Sequence, residues 1–124
     1  MDYLPLPGTA VEDLDTPAII VDLDIAESNI KAMADFAKEN GVSMRPHMKT
    51  GKSPFWARKL MDAGAIGVCA AKVGEAEILA DGGIPEILIP NQVVGTTKIR
   101  RLFGVAARSN LTVAVDSHEN VAEL

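Results

Sequence analysis

A regular alternation of short apolar runs with helical segments constrains the fold of this chain more than any other feature. Ala18 to Val21 is a continuous apolar, β-branched run, which is typical of a strand buried on both faces of a sheet. Segments with apolar residues at helical spacing separate such runs. This alternation predicts βα units and a parallel sheet. The predicted strands are residues 18–21, 42–47, 66–69, 86–89 and 112–116.

Capping signals predict where the helices begin and end. Asp24, with Glu27 three residues later, resembles a capping box, and the helix that it opens should stop at Asn40-Gly41. Ser53 followed by Pro54 predicts the start of a second helix, which should end near residue 64. The remaining predicted helices cover residues 73–81 and 96–108, and a last one begins after a cap at Ser117.

The length of the chain limits how much of a closed barrel these units can form. A barrel of eight βα units needs about 250 residues, and this chain has 124. We therefore predict an α/β fold of the TIM type that amounts to about half of a full barrel. Residues 1–17, rich in proline and acid, are expected to form a lead-in segment, and residues 18–124 one incomplete barrel domain.

Composition excludes several classes of function. The formal net charge is −5 and the basic residues are scattered, which argues against a nucleic-acid-binding surface. A single cysteine cannot form an intramolecular disulfide and fits a reducing compartment. No apolar run approaches the roughly 20 residues that span a bilayer, and no secretory signal is visible. We therefore expect a cytoplasmic protein that does not enter membranes.

Reactive nitrogen atoms are concentrated between Arg45 and Ser53. This stretch contains two lysines, a histidine and an arginine. It follows a predicted strand and precedes a predicted helix, which is the position where ligands bind in α/β folds. Two chemical interpretations compete. In one, Lys49 is an amine that forms a Schiff base with a carbonyl cofactor. In the other, Gly51-Lys52-Ser53 closes a phosphate-binding loop, with Lys52 as its essential lysine.

The phosphate-loop interpretation is the weaker of the two. Its pattern requires a glycine five positions before Gly51, where this chain has Pro46. Proline fixes φ and removes an N–H from a loop that must direct N–H groups at phosphates. By contrast, a nucleophilic amine must be partly deprotonated near neutral pH, and cationic neighbours favour the neutral amine. Lys49 has such neighbours in Arg45, His47 and Lys52.

A resemblance to a known family favours the Schiff-base interpretation. The motif from Arg45 to Thr50 resembles the Arg-Pro-His-x-Lys-Thr signature of the D-threonine aldolase and D-serine dehydratase-like family. These are pyridoxal-phosphate enzymes of the alanine-racemase fold. Further blocks that resemble the family follow in the correct order, at residues 16–30, 64–77 and 82–91. The resemblance covers residues 16–124 and implies an alanine-racemase N-terminal barrel.

The resemblance also implies roles for three residues of the motif. Lys49 is in the position of the family lysine that holds pyridoxal 5'-phosphate, and His47 is a candidate general acid or base beside it. Arg45 and His47 would support the cofactor or orient the lysine. The run at residues 18–21 would belong to a later β domain. Two positions differ from the common family pattern, with Gly51 in place of a histidine and Ala71 in place of a glutamine.

The implied activity is that of a lyase acting on small D-amino acids. Retro-aldol cleavage of D-3-hydroxy amino acids such as D-threonine is the leading candidate reaction, and dehydration of D-serine is the second. Racemisation and a non-catalytic pyridoxal-phosphate-binding role are the alternatives, and a phosphate-loop NTPase is a remote one. We expect the complete protein to form homodimers. No metal site is expected in residues 1–124, since a divalent metal would bind only in a C-terminal domain, and the chain alone is expected to be inactive.

Overall fold

The computed structural model describes residues 4–124. A short 3-10 helix, Val11–Asp13, lies in the lead-in. The further elements, in chain order, are α1 (Leu23–Glu39), α2 (Pro54–Asp62), β1 (Val68–Cys69), α3 (Val73–Asp81), β2 (Glu86–Gln92), α4 (Thr96–Ala106), β3 (Asn110–Ala114) and α5 (His118–Glu123).

The three strands form a parallel sheet in the order of the sequence, β1-β2-β3. Parallel neighbours joined by right-handed crossovers place successive helices on the same face of the sheet. A sheet that adds each new strand on the same side of the last is the beginning of a barrel. The predicted α/β half barrel is confirmed in this respect.

One apolar core lies between the sheet and helices α2, α3 and α4. Ile87 and Ile89 of β2 and Val68 of β1 are fully buried in it. Burial of a Val or Ile side chain contributes roughly 1.5–3 kcal/mol. From the helices come Ala57, Val73, Ala76, Leu79, Ala80, Ile99, Leu102 and Val105.

Helix predictions are mostly confirmed, because their signals are local. Ser53 accepts a hydrogen bond from the Phe55 N–H at the start of α2, and Ser117 accepts one from Asn120 at the start of α5. Helix α3 has the predicted bounds, and α4 ends at Ala106, two residues before the predicted end.

The predicted start of α1 at Asp24 is wrong. The helix begins at Leu23, and the Asp22 carboxylate caps it by accepting a hydrogen bond from the Ile25 N–H at 3.0 Å. Asp24 lies inside the first turn, where its negative charge still interacts favourably with the helix dipole. Two aspartates two residues apart offer equivalent caps, and sequence spacing alone does not choose between them.

The predicted strand at residues 42–47 is only partly formed. His47 makes an isolated parallel bridge to Cys69. The carbonyl groups of Met44 and Pro46 accept hydrogen bonds from Ile66 and Cys69 at 2.9 and 2.7 Å. The segment therefore lies beside β1, but Pro46 has no N–H to donate and interrupts the ladder. We call residues 42–47 the edge segment.

The predicted buried strand at residues 18–21 is wrong. Residues 18–21 have no strand partner in the structure and are exposed, with Ile19 97% exposed. A β-branched run favours an extended backbone, but a strand exists only where a neighbour pairs with it. The assignment of this run to a separate β domain, which the resemblance implied, stays a prediction.

The ends of the other strands differ from their predictions by a few residues. Strand β1 is limited to Val68–Cys69, and Gly67 directly before it has a φ of 153°. Strand β3 covers Asn110–Ala114, two residues earlier than predicted. Its last partner is Gln92, beyond an irregularity in β2, so Val115 and Asp116 extend past the pairing. Within residues 4–124, no helix is both long and apolar enough to cross a bilayer.

Candidate functional site

The face of the sheet that α2, α3 and α4 leave uncovered carries the candidate site. Side chains alternate between faces along a strand, and the buried Val68, Ile87 and Ile89 occupy the helix side. Their neighbours therefore point to the opposite side, which we call the open face. One row of paired residues crosses it, formed by His47, Cys69, Leu88 and Thr112.

Lys49 lies in a tight turn directly after this row. The Lys52 N–H donates to the Met48 carbonyl at 2.8 Å, which closes the turn around Lys49, Thr50 and Gly51. Lys52 has a φ of 40°, in the left-handed region. Lys49 is exposed and forms no ion pair with a carboxylate of residues 4–124. Its amine is therefore accessible at the carboxyl end of the edge segment.

The turn is not built to bind phosphate with its backbone. The Met48 N–H donates to the Cys69 carbonyl at 2.8 Å, and the Lys52 N–H to Met48. The Lys49 N–H donates to the His47 ring. Three amides of the loop are therefore used inside the protein, whereas a phosphate loop must present its amides to the ligand.

His47 is positioned by its backbone and by Lys49. Its backbone forms the bridge to Cys69, and its side chain is partly buried on the open face. The ring Nδ1 accepts a hydrogen bond from the Lys49 N–H at 3.2 Å. The structure thus brings together the two residues that sequence analysis placed at the centre of the site.

Arg45 lies on the same face, but toward the amino end of the sheet. Its Nη1 atom lies 2.7 Å from the point that a Cβ on Gly67 would occupy, and Glu86 Cβ is equally close to that point. Gly67 therefore leaves room for the guanidinium to approach Glu86. Nη1 is buried and has no hydrogen-bond partner in the part of the chain that the structure describes.

Sequence analysis missed two polar residues beside Arg45. Glu86 pairs with Asn110 across β2 and β3, and the Asn110 amide donates to the Glu86 carboxylate at 3.0 Å. Both residues begin a strand in the structure. Glu86 also begins a predicted strand, but Asn110 lies two residues before the predicted start of the next one, so the sequence pattern did not pair them. Together with Arg45 they form a polar layer at the amino end of the open face.

Cys69 is the buried member of the row beside His47. Burial raises the pKa of its thiol, and the nearby Arg45 charge partly offsets this effect. Its Sγ donates to the Arg45 carbonyl at 3.3 Å. These features fit a packing residue that stays protonated, and they do not fit a nucleophile.

The loops at the carboxyl edge of β1 and β2 are connected to each other. The Asn91 amide donates to the Ala71 carbonyl at 3.1 Å, and the Ala71 N–H donates to Glu75 at 2.8 Å. These bonds hold the loop next to the site in a fixed position. Across residues 4–124, no three His, Cys, Asp or Glu side chains come together as a metal site.

Four parallel segments in sequence order, with helices on one face and an exposed lysine just past the carboxyl end of the first, define part of an α/β barrel with the candidate site at its carboxyl edge. Residues 21–124 match the sequence model of the alanine racemase N-terminal domain. The chain belongs to that family.

Named relatives are similar to this chain over most of its length. 3-Hydroxy-D-aspartate aldolase of Paracoccus denitrificans is 41% identical over 126 residues, which cover 99% of this chain and 32% of the relative. The crystal structure of D-threonine aldolase from Filomicrobium marinum superposes with a TM-score of 0.89 at 46% identity, covering 92% of this chain and 31% of that one.

A third relative carries a different name. D-threo-3-hydroxyaspartate dehydratase from Delftia sp. HT23 superposes with a TM-score of 0.82 at 32% identity, covering 90% of this chain and 29% of that one. The chain therefore spans about a third of the length of these relatives. The high TM-scores confirm the partial barrel that the sequence predicted.

Proposed function

We propose that this chain is the cofactor-lysine part of a pyridoxal-phosphate-dependent lyase that acts on D-3-hydroxy amino acids. The observation that carries the proposal is the position of Lys49. Its exposed amine lies at the carboxyl end of the first barrel segment, without a carboxylate partner among residues 4–124. No ion pair within the described residues holds this amine away from a carbonyl group that binds beside it.

The residues around Lys49 fit a flat cofactor that carries a carbonyl group. The open face beside it consists of the half-buried His47 and Leu88 and the buried Cys69, and helices α2 to α4 do not cover it. Lys49 would hold the cofactor covalently, and His47 would contact it from the same strand end. Arg45 would support the site from the layer below, where its buried Nη1 has unused hydrogen-bonding capacity.

Bound pyridoxal phosphate would act as the electron sink when a bond to the substrate's Cα or Cβ breaks. The role of this chain would be to bind and orient the cofactor. The turn that the Lys52–Met48 hydrogen bond closes fixes the Lys49 backbone. The bonds of Ala71 to Asn91 and Glu75 fix the neighbouring loop.

Retro-aldol cleavage is the leading reaction within this proposal. Two of the relatives are named as aldolases of 3-hydroxy-D-aspartate and D-threonine, and one is named as a dehydratase of D-threo-3-hydroxyaspartate. All three names describe D-amino acids with a 3-hydroxyl group. Dehydration is therefore the second candidate.

The extent of the domain and the location of the protein are also proposals. We infer that residues 18–124 form the incomplete barrel domain and residues 1–17 its lead-in, a division supported by the family match from residue 21. Any divalent metal would belong to a domain outside these residues. The single cysteine supports a cytoplasmic location, and a homodimer is the proposed assembly.

Covalent labelling tests the proposed cofactor lysine. The chain is mixed with pyridoxal phosphate and reduced with borohydride, and the added mass is located by peptide mapping. We expect label on Lys49. K49A should lose the label. K52A is the matched control because Lys52 lies in the same turn, and it should keep the label.

Different labelling outcomes support different functions. Label on Lys52 or spread over many lysines contradicts the proposal. Unlabelled Lys49, combined with ATP binding that K52A abolishes, would support the phosphate-loop alternative.

A further inference from the structure

The hydrogen bond between Lys49 and His47 fixes which ring nitrogen of His47 carries the proton. The Lys49 N–H can only donate, so the Nδ1 atom that it contacts at 3.2 Å must present a lone pair. A neutral imidazole has a single ring proton. That proton therefore lies on Nε2, and the Lys49 amide stabilises this tautomer.

We propose that His47 serves the site as a hydrogen-bond donor through Nε2–H and does not act there as a general base. A base at Nε2 would need the proton on Nδ1. That arrangement would place the Nδ1 proton against the Lys49 N–H, so two donors would face each other. The inference rests on the proposed function only in that the acceptor is assigned to a bound cofactor or substrate.

The surroundings of His47 leave the Nε2 donor available. No side chain of residues 4–124 forms a hydrogen bond with the His47 ring. The ring belongs to the open face, in one row with Cys69 and Leu88. Neither of these two neighbours offers a strong acceptor, because Cys69 donates to the Arg45 carbonyl and Leu88 is apolar.

The chemical class of the acceptor follows from the donor. A single N–H on a partly buried, mostly apolar face is best satisfied by an anionic oxygen, because charge-assisted hydrogen bonds are about twice as strong as neutral ones. Phenolate, carboxylate and phosphate oxygens are such acceptors. Because the Lys49 N–H is bonded to the His47 ring, an oxygen bound at Nε2 is held close to the Lys49 residue.

Two substitutions separate the roles of the two ring nitrogens. In H47N, the side-chain oxygen can take the place of Nδ1 and accept from the Lys49 N–H, but nothing replaces Nε2. In H47Q, the side-chain NH₂ group can take the place of Nε2–H, but nothing replaces Nδ1. The two variants have similar size and polarity, so each is the matched control of the other.

The first measurement is made without cofactor. In ¹⁵N-labelled H118Q chain, His47 is the only histidine, since the chain has two. Ring ¹H–¹⁵N correlation spectra above the titration range of histidine should show a protonated Nε2 and a hydrogen-bonded, unprotonated Nδ1. The Lys49 amide should be protected from hydrogen exchange in wild type and H47N, and unprotected in H47Q.

The second measurement uses pyridoxal phosphate and borohydride. We expect H47Q, which keeps a donor at the Nε2 position, to label Lys49 at a rate close to wild type. H47N should label about tenfold more slowly, the effect of losing one hydrogen bond to a charged group. The opposite order of the two variants would overturn the donor assignment.

The spectra also distinguish failure of this inference from failure of the proposed function. A proton on Nδ1, or equal exchange of the Lys49 amide in wild type, H47N and H47Q, would overturn the inference whatever the chain binds. The expected spectra together with an unlabelled Lys49 would overturn the cofactor proposal and leave the tautomer of His47 established.

Discussion

At the scale of single residues, Lys52 is the only non-glycine residue among residues 4–124 with a positive φ, at 40°. A left-handed backbone costs an L-residue roughly 1–2 kcal/mol. Such local strain is often found at functional sites. Here it occurs in the turn that holds Lys49, and the Lys52–Met48 hydrogen bond maintains it.

Relief of this strain gives the first prediction. We expect K52G to be more stable than K52A by about 1 kcal/mol, because both variants lack the lysine side chain and only alanine keeps the left-handed cost. Urea unfolding of the two variants measures the difference. Equal midpoints at equal m-values would show that Lys52 is not strained.

The buried thiol of Cys69 gives the second prediction. Burial raises its pKa and favours the thiol, which is the unreactive form. Iodoacetamide should therefore modify Cys69 far more slowly in the native chain than in urea. Because the chain has one cysteine, the mass of the whole protein reports the reaction directly. A native rate equal to the unfolded rate would contradict the buried position.

At the scale of elements, a forked ion pair joins helices α3 and α4. Arg101 Nε donates to Glu77 Oε1 at 2.7 Å, and a second bond joins Nη2 to Oε2. The hydrogen bonds from Arg101 hold the pKa of Glu77 below its ordinary value. Glu77 therefore contributes stability above its unfolded pKa, which is lost as the pH falls through the lower, folded pKa.

The third prediction follows from this loss of stability at low pH. Between pH 6 and pH 3, about the range in which carboxylates titrate, wild type should lose more stability than E77Q. Urea midpoints across this range measure the difference. E123Q is the control, because Glu123 has no ion pair in the described part of the chain. A parallel decline in wild type and E77Q would contradict the prediction.

The elements also show which features the sequence can predict. Ser53 and Ser117 were correct as helix caps, because the atoms that they bond lie two or three residues away. The strand predicted at residues 18–21 was wrong, because strand pairing depends on a distant neighbour that composition does not reveal. The predicted closeness of Lys49 and His47 was likewise local, whereas the approach of Arg45 to Glu86 across Gly67 depends on strand register.

At the scale of the whole molecule, the sheet has two unpaired edges within residues 4–124, one along the edge segment and one along β3. Exposed sheet edges favour association. An open apolar groove of about 410 Å³ follows the edge segment, lined by Met33 and Phe36 of α1 and by Val42. All three are more than half exposed. Both features predict that the 124-residue chain associates with itself.

The last prediction locates that association. We expect the sedimentation coefficient of wild type to rise with concentration, and F36K to weaken the rise by placing a charge in the groove. I78K is the matched control, because Ile78 on α3 is exposed to the same extent as Phe36, 57%, but lies away from the groove. An equal effect of both variants would indicate nonspecific apolar association. A wild-type chain that stays monomeric at all concentrations would contradict the prediction and show that the open edges are tolerated.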